Sequence, residues 1–131
     1  MAELSTVFDL RDLGPTTSLL GMEIIRDRSQ RKLSLSHRQY IIDMLEKYGF
    51  SSCSPVHTPM PPGLHLTTDM CPKLKAKEAE MSKVPYSNAV GALMFLATFT
   101  RPDIAYTVSQ LARFNANPGP EHWKVVKHLF H

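Results

Sequence analysis

Between Leu19 and Ile25 the chain is apolar at almost every position: Leu19, Leu20, Met22, Ile24 and Ile25. A short run of this kind predicts a strand covered on both faces. Gly21 interrupts it, and a glycine inside a strand predicts a bulge or a close backbone approach. Arg26, Asp27, Arg28, Ser29, Gln30, Arg31 and Lys32 then fill a polar turn, after which Leu33 and Leu35 alternate with polar neighbours. The pattern predicts a β-hairpin with a basic tip. Upstream, Leu4, Val7 and Phe8 share a helical face, and Leu10 and Leu13 continue apolar. Residues 2–13 therefore read as the last turns of a helix entering from an upstream segment, stopped by Gly14 and Pro15.

The period changes at Ser36. Tyr40, Ile41, Met44, Leu45 and Tyr48 recur at helical spacing, Ser36 is a good N-cap with Gln39 completing a capping-box pattern, and Gly49 sits where a glycine ends a helix. Residues 51–85 carry Pro55, Pro59, Pro61, Pro62, Pro72 and Pro85. Each proline fixes φ and removes a backbone donor, so regular structure is not expected through "SPVHTPMPPGLHLTTDMCP". The segment "KLKAKEAEMSK" inside it reads as a charged solvated helix or as none.

From Ser87 to Phe99 the chain is apolar on most sides, with Val90, Leu93, Met94, Phe95, Leu96 and Phe99, which predicts a buried helix. Thr100 and Asp103 in "TRPD" form a capping-box-like start with Pro102 in the first turn. Ile104, Val108, Leu111 and Ala112 line the next helix face, and "NANPGP" breaks it. Trp123, Val126 and Phe130 restart the period, widened by Val125 and Leu129.

The chain has 131 residues, 43% hydrophobic and 21% charged. That is about one modest domain, able to bury roughly two-thirds of its unfolded surface. Net charge is +3 with a pI near 9.0, which permits a polyanion partner without demanding one. No apolar run reaches the ~18 residues of a membrane span, and the N-terminus lacks the pattern of a signal peptide. Cys53 and Cys71 read as reduced intracellular thiols.

Chemistry-bearing groups are sparse. Asp9 and Asp12 form an i, i+3 carboxylate pair, but two-metal phosphoryl transfer needs more acidic ligands than these. They read as a solvated face and a local cap. Cys53, His57, His65 and Cys71 carry zinc-compatible donors, yet neither half is a tight Cys-x2-Cys. His122, His128 and His131 sit beside lysines and read as solvated or nucleic-acid-facing. There is no phosphate-binding glycine loop, no G-x-S-x-G elbow and no H-E-x-x-H stretch. No catalytic residue and no metal ligand is assigned from the residues.

Several strings together resemble copia-type retrotransposon reverse transcriptases: "FDLRDLGPTTSLLGMEIIRD", "LSLSHRQYIIDMLEKYGF", "YSNAVGALMFLATFTRPDIAYTVSQLARF" and "HWKVVKHL". They match the family blocks F-x-M-x-D-L-G, F-L-G-x-E-I, L-S-Q-x-x-Y-I, Y-x-x-x-V-G-x-L-x-Y-L and T-R-P-D-I-x-Y-A-V, in order and at similar spacing. The departures are Leu20 before the glycine, His37 for Gln and Phe95 for Tyr. The family's Tyr-x-Asp-Asp signature, expected before "FDLRDLG", is not in this sequence, and neither are the fingers or the RNase H domain that follows.

The resemblance implies an α+β fold: an N-terminal β-hairpin followed by a mainly helical, thumb-like bundle, together a partial polymerase domain. Residues 1–36 would close the palm with a primer-grip-like hairpin. Residues 37–50 would be an amphipathic helix, 51–85 a proline-rich connector, and 86–131 thumb and connection-like helices. Leu20, Gly21, Met22 and Glu23 would occupy the primer grip, Arg26, Arg28, Arg31 and Lys32 would add phosphate contacts, and Asn88 and Gly91 would face the minor groove, with Ala89 and Ala92 permitting close approach.

The implied function is template–primer holding within an RNA-directed DNA polymerase, the chain alone being inactive. Its partners would be an RNA/DNA template–primer, the upstream palm and fingers, and the downstream RNase H, with no membrane. The parent enzyme uses Mg²⁺, and this chain is expected to carry no cofactor. The expected location is cytoplasmic, in a virus-like particle in the family, or nuclear. The alternatives are a non-enzymatic nucleic-acid or protein-interaction remnant, domesticated or pseudogene-like, and a zinc-binding module.

Overall fold

The computed structural model describes residues 9, 11 and 13–131. The helix expected over residues 2–13, with Leu4, Val7, Phe8 and Leu10, lies outside the described residues, as does Asp12. Among the described residues the chain is α+β, with a three-stranded antiparallel sheet and five α-helices. It divides into two compact units after Arg38.

The first unit is the sheet, in the order β1 (Ser18–Leu19), β2 (Met22–Asp27), β3 (Lys32–Ser36). The apolar run expected to be one strand is therefore two. Leu19 pairs with Met22 around a two-residue turn, and both central residues, Leu20 (φ 51°) and Gly21 (φ 77°), are left-handed. That is the geometry a two-residue antiparallel hairpin demands. A leucine at the first position hides it from a hydrophobicity pattern. Coverage on both faces does not hold either: Met22 is buried, but Ile25 is 58% exposed.

Residues opposite one another share a face. Leu19 with Met22, Ile24 with Leu35 and Arg26 with Leu33 make one face; Glu23 with Ser36, Ile25 with Ser34 and Asp27 with Lys32 make the other.

The second unit is helical. In α1 (Arg38–Tyr48) Met44 is buried, and Tyr40, Ile41, Leu45 and Tyr48 pack on the core as the spacing predicts. Ser36 Oγ accepts the Arg38 N–H (3.1 Å), whereas Gln39 donates forward to Asp43 (2.7 Å) rather than closing a capping box. The helix ends as Gly49 predicts. Its φ is 78°, its N–H donates to the Glu46 carbonyl, and the Phe50 N–H reaches the Leu45 carbonyl. These are the paired bonds of a Schellman end.

The proline-rich stretch contains a single-turn 3-10 helix, Thr68–Met70, and the charged segment does form a helix, α2 (Lys75–Met81), which exposes its lysines and glutamates and buries Met81.

In α3 (Tyr86–Phe99) one face is buried, through Tyr86, Ala89, Val90, Leu93 and Leu96. Burial all round does not hold, because Met94 is 41% and Phe99 46% exposed. A 3-10 turn, Pro102–Ile104, leads into α4 (Ala105–Ala112). Asp103, in the first turn, is gripped by the Arg101 guanidinium through Nε (2.9 Å) and Nη2 (2.8 Å). That fork lowers the Asp103 carboxyl below its usual range.

The last helix is α5 (Pro120–Leu129). Ile104, Val108, Leu111, Val125, Val126 and Phe130 complete the core. Tyr86 donates its hydroxyl to the Leu111 carbonyl at 2.8 Å, and burial pushes that phenol well above its ordinary value.

Candidate nucleic-acid interface

The two groups of residues singled out from the sequence fall in different units. In the first, the turn between β2 and β3 is narrower than the polar run implies. Asp27 and Lys32 still pair, leaving Arg28, Ser29, Gln30 and Arg31 as the loop. Asp27 organises it. One carboxylate oxygen accepts the Ser29 N–H (2.9 Å), the Ser29 hydroxyl (2.6 Å) and the Gln30 N–H (3.0 Å). These bonds, that from the Ser29 hydroxyl first, lower the Asp27 carboxyl below its ordinary value. Arg31 closes the loop in the left-handed region (φ 52°), its N–H directed at the Arg28 carbonyl (3.4 Å).

Four cations therefore surround one carboxylate at the tip, all of them exposed. They do not form one flat patch. Arg26 lies opposite Leu33 on the apolar face, and Lys32 lies on the other face opposite Asp27. Arg28 and Arg31 occupy the loop between them.

Leu20 and Gly21 are at the opposite end of β2, in the tight turn, both exposed. A Cβ built on Gly21 would meet nothing within 4 Å. The glycine is thus required by its backbone conformation, and its position leaves the turn open to solvent. Glu23 is exposed, while Met22 is only 9% exposed, its side chain being part of the protein's interior.

In the second unit, Asn88 and Gly91 are exposed one turn apart on α3. Ala89, expected to permit close approach beside them, is fully buried in the core, and Ala92 is half-buried. Asn88 and Gly91 line an open groove of about 860 Å³ whose other wall is α1, contributing Tyr40, Asp43 and Lys47. Tyr40 packs on Phe95 (centroids 5.1 Å) and Phe95 on Phe99 (4.9 Å). Lys47 Nζ lies 5.7 Å from the Tyr48 ring. Sequence reasoning placed Tyr40 on the apolar face of the helix and gave Asp43 and Lys47 no role. The i, i+3, i+7 spacing of Tyr40, Asp43 and Lys47 was the signal that they share an edge of the helix.

Asp9 is exposed. Cys53 and Cys71 are free thiols, and the Cys53 thiol donates to the Phe130 carbonyl (3.2 Å). Among the described residues no three His, Cys, Asp or Glu side chains group as a metal ion would need. His128 donates to the Thr58 carbonyl (2.8 Å) and His131 to the Ser54 carbonyl (3.1 Å), fastening the chain's last turn to the connector. His122, expected at the solvent, is completely buried. No helix among the described residues is long and apolar enough to cross a membrane.

Known proteins extend this picture. The chain is 48% identical over 125 residues to a retrovirus-related Pol polyprotein from transposon TNT 1-94 of Nicotiana tabacum; the match covers 95% of this chain and 9% of that protein. It is 36% identical over 126 residues to a retrovirus-related Pol polyprotein from transposon RE1 of Arabidopsis thaliana, covering 96% and 8%. An uncharacterized mitochondrial protein of Arabidopsis thaliana is 36% identical over 107 residues, covering 82% and 40%. No protein-family model matches the chain, and no solved structure does. Homologues of this chain thus include retrovirus-related Pol polyproteins of plant copia-type transposons, and the chain spans less than a tenth of the length of those polyproteins.

Proposed function

We propose that this chain is a segment of a retrotransposon RNA-directed DNA polymerase that holds the template–primer and carries no chemistry of its own. The observation that carries the reading is near-complete coverage of the chain by Pol polyproteins at up to 48% identity, joined to an exposed hairpin tip with two cations in its loop and two on the strand ends beside it. Exposed Arg and Lys at a loop position a duplex through its phosphates without reading its sequence. On this reading Leu20 and Gly21 present an open turn toward the primer strand. Asn88 and Gly91 face the wide minor groove of an A-form-like hybrid, which proteins recognise by shape. The two Mg²⁺ ions of the parent reaction need clustered carboxylates, and the reading assigns none here.

The test is fluorescence anisotropy with a primed RNA/DNA hybrid across a salt series. If about three of the four cations each neutralise one phosphate, log affinity falls against log salt with a slope of roughly −2 to −3. Replacing Arg26 and Arg28 with Ala removes up to ~2 of that slope and weakens all sequences alike. A flat salt response would defeat the reading, as would template-dependent extension by the isolated chain.

A second reading has its own support. The matched segment makes up 40% of the Arabidopsis mitochondrial protein rather than under a tenth. The same segment therefore exists in a much shorter chain, as a non-enzymatic remnant would. Binding to hybrid that is no stronger than to single-stranded DNA, with no salt slope, favours this second reading.

A further inference from the structure

His122 stands at the third position of α5 with no exposed surface. Its ring stacks on Phe114, centroids 4.0 Å apart and planes 17° from parallel. Its Nδ1 accepts the backbone N–H of Gly119 at 2.9 Å. An imidazole that accepts at Nδ1 carries its hydrogen on Nε2 and is neutral. Nε2 is buried and directed toward the Thr67 backbone without closing a well-formed hydrogen bond. Gly119 is itself pressed against the connector: a Cβ there would fall on the Met70 carbonyl oxygen. The ring thus holds the start of α5 to the glycine before it, and that glycine lies against the 3-10 turn Thr68–Met70.

A protonated imidazole donates from both nitrogens and accepts from neither. Proton uptake at Nδ1 would set an N–H against the Gly119 N–H and leave that buried amide without its partner. We propose that His122 is an acid-sensitive latch, whose protonation undoes the cap of α5 and releases the connector turn from it.

Few charges oppose this. On α5 the nearest is Glu121, which favours the proton but is paired with Lys124 at 2.7 Å. The 3-10 turn carries Asp69, exposed and paired with Lys73 at 3.5 Å. Helix α3 has no charged residue and contributes Tyr86, bonded to Leu111. Helix α4 has none either and carries the exposed Tyr106; Arg113 follows it, 5.8 Å from the Phe114 ring. Burial outweighs these and lowers the imidazole below its ordinary value. The closed state then keeps its full stability above about pH 6.5, where the open state is also neutral, and loses it as pH falls from there toward the depressed value.

The experiment is amide hydrogen exchange of residues 118–123 in the full chain from pH 7.5 to 5, corrected for the intrinsic chemical rate. The fluorescence of Trp123, the only tryptophan, is followed in parallel. With one proton taken up, the open population rises as pH falls below about 6.5, by at most ~10-fold per pH unit. His122→Gln keeps an acceptor for the Gly119 N–H, as glutamine does at this position of a capping box, and does not titrate. Its exchange is expected to stay flat. A flat response in the unaltered protein overturns the proposal, and so does the same rise in H122Q. Deuterium exchange at the His122 ring C2 gives a check that needs no variant: a midpoint below 6.5 supports the latch, and one at or above it overturns it.

Discussion

In the helical unit, Val90, Leu93, Leu111 and Val126 are each at most 2% exposed, whereas in the sheet unit Leu19, Leu20, Ile25, Leu33 and Leu35 are 47–68% exposed. Both regions are rich in aliphatic residues, so composition does not separate them. Architecture does. A helix has one apolar stripe, and α1, α3, α4 and α5 can turn their stripes toward a common centre. A three-stranded sheet has two faces and needs a further layer against each apolar one. The sheet unit's own described residues supply no such layer. Its strands are fixed mainly by backbone pairing and turn chemistry, and the helical unit by packing. Substitutions at aliphatic positions should therefore have unequal consequences.

The largest expected effect is at Leu111, which is fully buried. Leu111→Ala removes its packing and leaves a cavity, a loss of ~2–5 kcal/mol. Leu33→Ala, at a position 62% exposed, should change stability by less than ~0.5 kcal/mol. Urea unfolding followed by circular dichroism measures both. Equal losses would mean that the sheet has a packed face after all and would end the contrast.

Glycines give a second contrast. At Gly119 an added methyl would meet the Met70 carbonyl, so the connector must move. Gly119→Ala should cost ~1–3 kcal/mol by overpacking. At Gly91 a Cβ meets nothing within 4 Å; Gly91→Ala should stabilise α3 by roughly 0.5–1 kcal/mol through helix propensity. Midpoints of thermal unfolding should move in opposite directions. If both variants lose stability, the exposed face of α3 is packed against something.

Hydrogen bonding gives a smaller effect. Tyr86→Phe keeps the ring in the core and deletes the donor to the Leu111 carbonyl. The expected loss is about 1 kcal/mol, rising toward ~3 if the carbonyl is left wholly unsatisfied. Thermal unfolding of the variant against the unaltered chain is the measurement, and no loss would mean that water replaces the phenol.

Helical spacing carried most of the second unit into view. Tyr40, Met44 and Leu45 on α1, and Ile104, Val108 and Leu111 around α4, share faces because period 3.6 is written directly into residue type. Gly49 marked its helix end for a similarly local reason. Three features were not legible. The Leu20–Gly21 turn was hidden because leucine is a poor left-handed residue, and an apolar run reads as strand. The buried face of α3 was overestimated because Met94 and Phe99 are apolar yet exposed, and spacing alone does not say how many neighbours a helix has. His122 was taken for a solvated residue because it adjoins polar positions; its role depends on Phe114 and Gly119 meeting it in space. At the candidate interface the basic tip was visible as a charge run, but the separation of Arg26 and Lys32 onto opposite faces required the register.

The smallest predicted effect addresses the turn that the pattern concealed. Leu20 holds φ at 51° with its side chain 68% exposed. A left-handed leucine sets Cβ against the following carbonyl oxygen, a cost of roughly 1–2 kcal/mol. Asparagine tolerates this region, and Asn-Gly is the favoured pair for a two-residue hairpin. Leu20→Asn should recover part of that cost, about 0.5–1 kcal/mol, because little buried area is lost with the exposed leucine. The gain belongs to the sheet unit, so amide exchange should slow in β1 and β2 and stay unchanged in α3 and α4. A loss of stability would show that Leu20 makes an apolar contact worth more than the strain it bears. Stabilisation together with weaker hybrid binding would identify Leu20 as a contact residue of the proposed interface, kept in an unfavourable conformation for that contact.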